Sequence, residues 1–402
     1  MISKSKRAIK YTHLQPSVIG MMLSLGILVA MSVDAGDEQA ARAYDEGLRA
    51  AFRQEHQQAL AALHRAIKLD SSLADAHYYL GILYGARDGW NKALAAFQNA
   101  TAADPAYIEA YCRMGETYLV ELARVNEAVE PLERAAQMDP HHAQARSLLG
   151  TAYFRQNRLE EAIRELQHAV ELDPSSTDAL YTLGLARFRS GENEAASLHF
   201  KKIIELDPFY AKAYLNLGNC YRRMGQSENS RKALGTFARL SNDEEQIARL
   251  ERAVRHDDSD VEAWYQLGRL QMARRQWETA AGAFRKCITL RPNEARGYDA
   301  LGYLYFQLKA YRKALQIYED VVKRHPDVAQ YRNSLGTVYM TIRNYPKAIE
   351  QLEAAVQLSP SEPAFHLTLA QIYKRAGYTA KAEEAFHTYQ QLKSQKDEPS
   401  GK

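Results

Sequence analysis

The chain has 402 residues, of which 46% are hydrophobic and 25% charged, and this composition excludes intrinsic disorder, which requires low hydrophobicity and high net charge. The formal charge of +3 lies within the first 35 residues, where four basic side chains accompany one acidic one, so residues 36–402 are formally neutral. A neutral body argues against a nucleic-acid-binding protein, which normally carries a basic face.

The first 35 residues have the layout of an export signal. Basic residues between Lys4 and Lys10 precede an apolar run over residues 18–33, which is shorter than the about 20 residues of a membrane span. The run suits either a signal peptide cleaved near Ala35 or an uncleaved anchor that tethers the chain to the inner membrane. Both alternatives predict an exported chain whose remainder lies in the periplasm or another extracytoplasmic space.

From about residue 40 the chain repeats itself roughly every 34 residues. The marker is a small residue, usually preceded by Leu or Met, and its copies are Gly47, Gly81, Gly115, Gly150, Gly184, Gly218, Gly268, Gly302, Gly336 and Ala370. Tyr follows most copies after three residues, Ala follows most after twelve, and a Pro closes most units. Within each unit the apolar positions follow helical spacing twice, which predicts two helices separated by a turn.

This pattern resembles the tetratricopeptide repeat, in which Leu-Gly, Tyr, Ala, a large apolar residue and Pro recur in that order. The resemblance covers about residues 40–396. It implies an all-α fold, a right-handed superhelical solenoid of helix-turn-helix repeats, because a single hairpin cannot bury its apolar face alone. It says less about function, since the family serves many roles.

Several residues differ from the repeat pattern, and some of these differences predict local changes in structure. Arg187 and Gln271 replace the Tyr in two repeats, and Ser230 replaces the Ala in the sixth. Asn242 stands where the sixth repeat would have its closing Pro. The third repeat contains one extra residue and also Pro131 inside its second helix, which predicts a local bend.

The spacing of the small residues jumps to 50 between Gly218 and Gly268. We interpret the additional residues as one extra helix that joins two blocks of repeats, and a harmless insertion is an equally good interpretation. The predicted organisation is a signal peptide or anchor at 1–35, six repeats at 40–241, the joint at 242–260, four repeats at 261–396 and a polar tail at 397–402.

No residue constellation indicates chemistry. Cys112, Cys220 and Cys287 lie in different repeats and form no metal-binding pair, so we expect buried thiols. The pair His141-His142 follows a closing Pro, and we expect turn histidines there rather than metal ligands. The sequence therefore predicts a non-enzyme with no catalytic residues, no cofactor and no metal.

The family resemblance implies that the first helix of each repeat lines a concave groove. We expect the second, fifth, ninth and twelfth positions of the repeat to be exposed there, and many of them are aromatic or basic, as in binding anchors. The candidate partner-binding residues are Tyr78, Phe154, Tyr181, Phe188, Lys212, Asn219, Arg222, Tyr265, Arg269, Arg296, Tyr303 and Phe306. The alternative is that several of these aromatics pack between adjacent repeats.

The predicted function is a scaffold or adaptor that supports the assembly of an envelope or secretion complex. Its expected partners are other proteins or peptide segments with acidic and apolar side chains, and no nucleic acid. One alternative is a self-assembling repeat protein, and another is the regulatory subunit of an enzyme such as a glycosyltransferase. An RNA-binding helical repeat is opposed by the neutral charge and the leader.

Overall fold

The computed structural model describes the backbone of residues 35–397 and the side chains of residues 38–395. The predicted signal peptide or anchor, with its apolar residues 18–33, lies outside these residues, and so does the tail after Asp397. Throughout residues 35–397 every regular element is a helix. The described part of the chain divides into two compact units, of which unit 1 ends at Phe237 and unit 2 begins at Ala238.

The helices follow one another with short connections. The helices up to the unit boundary are α1 (Ala35–Phe52), α2 (His56–Leu69), α3 (Ala74–Gly85), α4 (Trp90–Ala103), α5 (Ile108–Glu116), α6 (Val125–Met138), α7 (Ala143–Arg155), α8 (Leu159–Leu172), α9 (Thr177–Arg189), α10 (Asn193–Leu206) and α11 (Ala211–Arg223). The next helix, α12 (Ser227–His256), contains the boundary itself. Unit 2 continues with α13 (Val261–Ala273), α14 (Trp277–Leu290), α15 (Ala295–Gln307), α16 (Tyr311–Arg324), α17 (Ala329–Thr341), α18 (Tyr345–Leu358), α19 (Pro363–Ala376) and α20 (Thr379–Asp397).

Consecutive helices pack against each other within each unit. From α1 to α11, and again from α13 to α20, each helix contacts the one before and the one after it. Odd-numbered helices are the first helices of the repeats, and even-numbered helices are the second. The predicted all-α solenoid of helix-turn-helix repeats is therefore confirmed, and its core is a series of apolar layers between neighbouring hairpins.

The small residue of each repeat marks a close approach between the two helices of a hairpin. At Gly81 a β-carbon would lie 2.4 Å from Cε1 of Phe97, and at Gly184 it would lie 2.8 Å from Cε1 of Phe200. The large residue is sixteen positions later in both cases. The repeated Gly is therefore a packing requirement, because any side chain there would collide with the facing helix.

A left-handed residue recurs in the turn inside every hairpin. Ten residues have positive φ at the repeat spacing, and they are Gln54, Asp88, Ala123, Asn157, Gly191, Gly225, Arg275, Lys309, Arg343 and Gly377. The chain must reverse direction within a few residues here, and the left-handed conformation supplies the sharp change. One such residue per unit marks ten hairpins along the part of the chain that the structure describes.

Many turns between repeats, including those after α2 and α8, begin with an aspartate that ends the second helix. The Asp70 carboxylate accepts hydrogen bonds from the backbone N–H of Ser72 at 2.8 Å and from its hydroxyl at 2.6 Å. Asp173 and Ser175 repeat the arrangement at 3.0 and 2.6 Å. These hydrogen bonds hold the pKa of both carboxyls below the ordinary value, because they stabilise the charged form.

The predicted joint between the two blocks is not a separate helix. Residues 242–256 continue the second helix of the sixth repeat, so that α12 is one helix of 30 residues from Ser227 to His256. The physical reason lies at Asn242: without the closing Pro, nothing removes the preceding residue from helical geometry.

The extra residue of the third repeat lies in its first helix. A π-helical segment, Thr117–Glu121, follows α5 directly. The Leu122 N–H donates to the Thr117 carbonyl at 3.1 Å, which spans five residues instead of four. The later α6 runs from Val125 to Met138 through Pro131, and the bend expected at that proline stays a prediction.

The predicted location is corrected. It depended on residues 18–33, which are not among the residues described, and within the described part of the chain no helix has both the length and the apolarity that a membrane crossing requires. No anchor is therefore shown, and the expectation of an exported chain, either cleaved near Ala35 or anchored in the inner membrane through residues 18–33, is withdrawn.

Candidate functional site

First helices of successive repeats contact one another over parts of each unit and form a shared surface there. Such contacts join α5 to α7, α7 to α9 and α9 to α11 in unit 1, and α13 to α15 and α17 to α19 in unit 2. We call these the unit 1 surface and the unit 2 surface. The candidate residues Tyr78, Phe154, Tyr181, Phe188, Lys212, Asn219 and Arg222 lie on first helices of unit 1, and Tyr265, Arg269, Arg296, Tyr303 and Phe306 lie on those of unit 2.

Two tyrosines of the unit 1 surface fill the gap between neighbouring repeats. Tyr78 lies 5.8 Å from Phe97 and 5.2 Å from Tyr107, measured between ring centroids. In the same register, Tyr181 lies 6.0 Å from Phe200 and 5.7 Å from Tyr210. Both tyrosines are half-buried. Their main contacts are therefore structural, which agrees with the alternative that some predicted anchors pack between repeats.

Two phenylalanines of the unit 1 surface are covered by arginines from the next repeat. The Arg189 guanidinium lies 4.2 Å from the ring centroid of Phe154, and the Arg223 guanidinium lies 3.8 Å from that of Phe188. Each arginine follows its phenylalanine by 35 residues. Phe154 is only 8% exposed, so it is a packing residue rather than an exposed anchor. Such cation–π pairs are worth about 0.5–1 kcal/mol at exposed positions.

Polar groups at the end of unit 1 are available on its surface. Lys212 and Arg222 are exposed on α11, and Arg222 donates to the Asn219 side-chain oxygen at 3.1 Å. The neighbouring Asn216 amide donates to the Tyr181 hydroxyl at 3.1 Å. Lys212 and Arg222 thus give the unit 1 surface two accessible positive charges on one helix.

An arginine and a glutamate flank an aromatic ring on the unit 2 surface. The Arg296 guanidinium lies 3.8 Å from the ring centroid of Tyr265 and donates to Oε2 of Glu262 at 2.6 Å. The pKa of Glu262 is held below its ordinary value by hydrogen bonds from Gln266 and then from Arg296. Arg269 lies farther from the Tyr265 centroid, at 6.0 Å, and its side chain is exposed. Arg296 is therefore already engaged, and Arg269 is the accessible cation.

Helix α15 carries the most accessible ring among the candidates. Tyr303 is 48% exposed, whereas Phe306 is half-buried and packs 5.7 Å from Tyr311 between ring centroids. A large exposed ring with a hydroxyl can bury much area and donate a hydrogen bond when a partner covers it. Tyr303 and Arg269 therefore have the properties expected of binding residues on the unit 2 surface.

The sequence analysis missed Asp299, which occupies the same repeat position as Tyr265 but is acidic. It is half-buried on α15, and the Tyr318 hydroxyl donates to its backbone carbonyl at 3.4 Å. The repeat register alone could have identified it, because it falls at one of the positions expected to face the groove.

The described side chains show little sign of reactive groups. Among residues 38–395, no group of three or more His, Cys, Asp or Glu lies close enough together to hold a metal ion. All three cysteines are buried free thiols, as predicted. Burial raises the pKa of Cys220 and of Cys287 to about 11, so both thiols are protonated and weakly nucleophilic at neutral pH. His142 caps α7 by accepting from the Ala145 N–H at 3.2 Å.

Family models match much of the chain. A TPR repeat model matches residues 150–191, and tetratricopeptide repeat models match residues 108–142, 177–210, 199–232, 247–295, 300–363 and 334–396. A curated relative, anaphase-promoting complex subunit 3 of Schizosaccharomyces pombe, is 28% identical over 104 residues. That stretch is 26% of this chain, and the chain spans only 16% of the relative's length.

Solved structures of similar repeat proteins each match about half of the chain or less. MamA from Desulfovibrio magneticus RS-1 is 27% identical with a TM-score of 0.39, over 42% of this chain and 94% of that one. YrrB, described as a TPR protein with an unusual peptide-binding site, is 25% identical with a TM-score of 0.41, over 44% and 92%. PilF of Pseudomonas aeruginosa is 19% identical with a TM-score of 0.45, over 52% and 94%.

Proposed function

The chain belongs to the tetratricopeptide repeat family, and from that premise we propose that it is a non-catalytic scaffold that binds segments of partner proteins on its first-helix surfaces. The observation that carries the proposal is the contrast between two kinds of candidate residue. Phe154 and Tyr181 are used in packing, whereas Tyr303, Arg269, Lys212 and Arg222 are exposed on the same faces. Exposed aromatic and basic residues on a rigid repeat face are typical of binding anchors.

The proposed partner segment is a protein or peptide with apolar side chains and an acidic group, which would meet the exposed ring of Tyr303 and the cation of Arg269. The proposal names no compartment. The predicted role in an envelope or secretion complex depended on the leader, and that segment lies outside residues 35–397.

The test is a quantitative affinity capture from lysate of the source cells with the full chain as bait. The test variant combines Arg269→Ala and Tyr303→Ala, which changes two exposed residues of the unit 2 surface. The matched control combines Arg312→Ala and Tyr378→Ala, one arginine and one tyrosine that are exposed away from the first helices. We expect partners to be lost with the test variant and retained with the control.

Other outcomes would contradict the proposal. Partners that are captured equally by both variants would place binding elsewhere than on the unit 2 surface. If no partner is captured and light scattering of the pure chain rises with concentration, self-assembly would replace the scaffold. A partner with enzymatic activity that this chain alters on binding would favour the regulatory-subunit alternative.

A further inference from the structure

The unit 2 surface contains a carboxylate at a position where four other repeats have a tyrosine. Asp299 aligns in the repeat register with Tyr78, Tyr181 and Tyr265, each of which packs against aromatic neighbours. Its side chain is half-buried on α15. An acid in this environment is partly withdrawn from water, and that withdrawal costs free energy unless a partner compensates for it.

No basic side chain among the described residues compensates Asp299. Arg296 lies three residues earlier on the same helix, but its guanidinium is held by Glu262 and stacks on the ring of Tyr265. Burial raises the pKa of the Asp299 carboxyl, and only the Tyr318 hydroxyl opposes this effect. A nearby cation would lower the pKa strongly, so the charge balance around Asp299 indicates an unmatched anion.

Three tyrosines lie near Asp299. Tyr318 is only 3% exposed, and its hydroxyl donates to the Asp299 backbone carbonyl at 3.4 Å. Tyr303 is one helical turn further along α15 and is 48% exposed. Tyr331 on α17 is close enough for the Asp299 charge to raise its pKa, after the larger effect of burial. The surroundings therefore combine a carboxylate with π faces, both of which attract cations.

We propose that Asp299, Tyr303 and Tyr331 receive one lysine or arginine side chain of the partner segment. This inference rests on the proposed scaffold function and specifies the chemistry of its ligand. The carboxylate accepts hydrogen bonds from the ammonium or guanidinium group, and the tyrosine rings cover the aliphatic stem of the side chain. Arg269, on α13 beside Tyr265, remains available to an acidic group elsewhere in the same segment.

The test is selection of a random peptide display library on the immobilised full chain. The peptides that bind are sequenced, and their affinities are measured for the wild type, Asp299→Asn, Asp327→Asn and Tyr303→Ala. Asp327 is an exposed acid at the turn before α17, so its variant makes the same charge change away from the proposed receptor. Asp299→Asn keeps the side-chain shape and removes an uncompensated charge, so folding is preserved, which circular dichroism checks.

We expect lysine or arginine at one enriched position of the selected peptides. Binding should weaken roughly 10-fold with Asp299→Asn, as expected when one charge-assisted hydrogen bond is lost, and should be unchanged with Asp327→Asn. Peptides that bind the unit 2 surface without a basic residue, or that bind Asp299→Asn as tightly as the wild type, would overturn the receptor while leaving the scaffold function standing. A library that yields no peptide sensitive to Tyr303→Ala would contradict both.

Discussion

At the scale of single residues, the tyrosine three residues after the small residue hydrogen-bonds to the previous repeat in several repeats. Tyr153 donates to Oε1 of Glu133 at 2.6 Å, across 20 residues. Arg187, which replaces this tyrosine in the fifth repeat, donates to Gln167 at 2.6 Å across the same separation. The Arg187 guanidinium thus takes the place of the tyrosine hydroxyl as the hydrogen-bond donor to the previous repeat. At Gln271 the side-chain oxygen is buried and has no hydrogen-bond partner among the described residues.

Removing the hydroxyl of one of these tyrosines should lower the free energy of unfolding by an amount that depends on pH. Tyr339 donates to Glu319, and burial together with this hydrogen bond raises its pKa to about 12. Tyr339→Phe should therefore lower the free energy of unfolding by about 1 kcal/mol at neutral pH. The folded pKa is above the unfolded value, so the contribution is complete below about pH 10 and is lost as the pH rises through about 12.

Urea unfolding followed by circular dichroism at pH 7, 10 and 11.5 checks this prediction. Tyr305→Phe is the matched control, because the residue twenty positions before Tyr305 is Arg285 and not an acid. A deficit of Tyr339→Phe that stays constant across the three pH values, or a control that loses as much stability, would show that the hydroxyl does not act through Glu319.

The small residue itself gives a second prediction at this scale. Gly184→Ala places a β-carbon 2.8 Å from the ring of Phe200, which is fully buried, so the two helices must separate. We expect a loss of about 1–3 kcal/mol, the usual cost of overpacking. Gly235→Ala, where nothing lies within 4 Å, should instead stabilise the chain by about 1 kcal/mol through helix propensity. Thermal unfolding of both variants checks this prediction. Equal changes in stability for Gly184→Ala and Gly235→Ala would show that the close approach of Gly184 to Phe200 does not determine the cost.

At the scale of elements, the hairpin turns are built on left-handed residues, of which most are not glycine. Ala123 has φ of 55° and Gly191 has φ of 90°, and both are exposed. A residue with a β-carbon is strained in this region, whereas glycine is not. The turn geometry is therefore a property of the hairpin, imposed on whatever residue occupies the position.

This geometry predicts that Ala-to-Gly and Gly-to-Ala substitutions at the left-handed position change the free energy of unfolding in opposite directions. Ala123→Gly should raise the free energy of unfolding, by about 0.5 kcal/mol after the entropy of the unfolded chain is counted, and Gly191→Ala should lower it by about 1 kcal/mol. Chemical denaturation of each single variant measures both. The same sign for both exchanges would mean that strain at the turn does not govern its stability.

Much of the arrangement of the helices can be predicted from the sequence, for a physical reason. The 34-residue period fixes where Gly81 must meet Phe97, because both positions recur together. The continuity of α12 has a visible signal in the sequence, because Asn242, unlike Pro, does not move the preceding residue out of helical geometry. The π-helical segment at Thr117–Glu121 could not be placed, because one extra residue can be absorbed in several positions of a hairpin.

At the scale of the whole molecule, the candidate surface was predicted less completely than the fold. The repeat register predicts Tyr303 on a first helix, where its side chain is exposed, and its role in binding stays a prediction. It could not show that Phe154 is covered by Arg189, because that contact depends on which side chain the next repeat supplies 35 residues later. Fold is specified by the many equivalent copies, whereas a binding surface depends on the few residues in which the copies differ.

The central claim is that partner segments bind on the unit 2 surface, and site-specific photo-crosslinking tests it most directly. A photoreactive amino acid replaces Tyr303 in one version of the full chain and Tyr378 in another, two exposed tyrosines of which only the first lies on a first helix. The account predicts partner crosslinks from position 303 and none from position 378. Crosslinks from position 378 alone, or from neither position while the partner is bound, would contradict it.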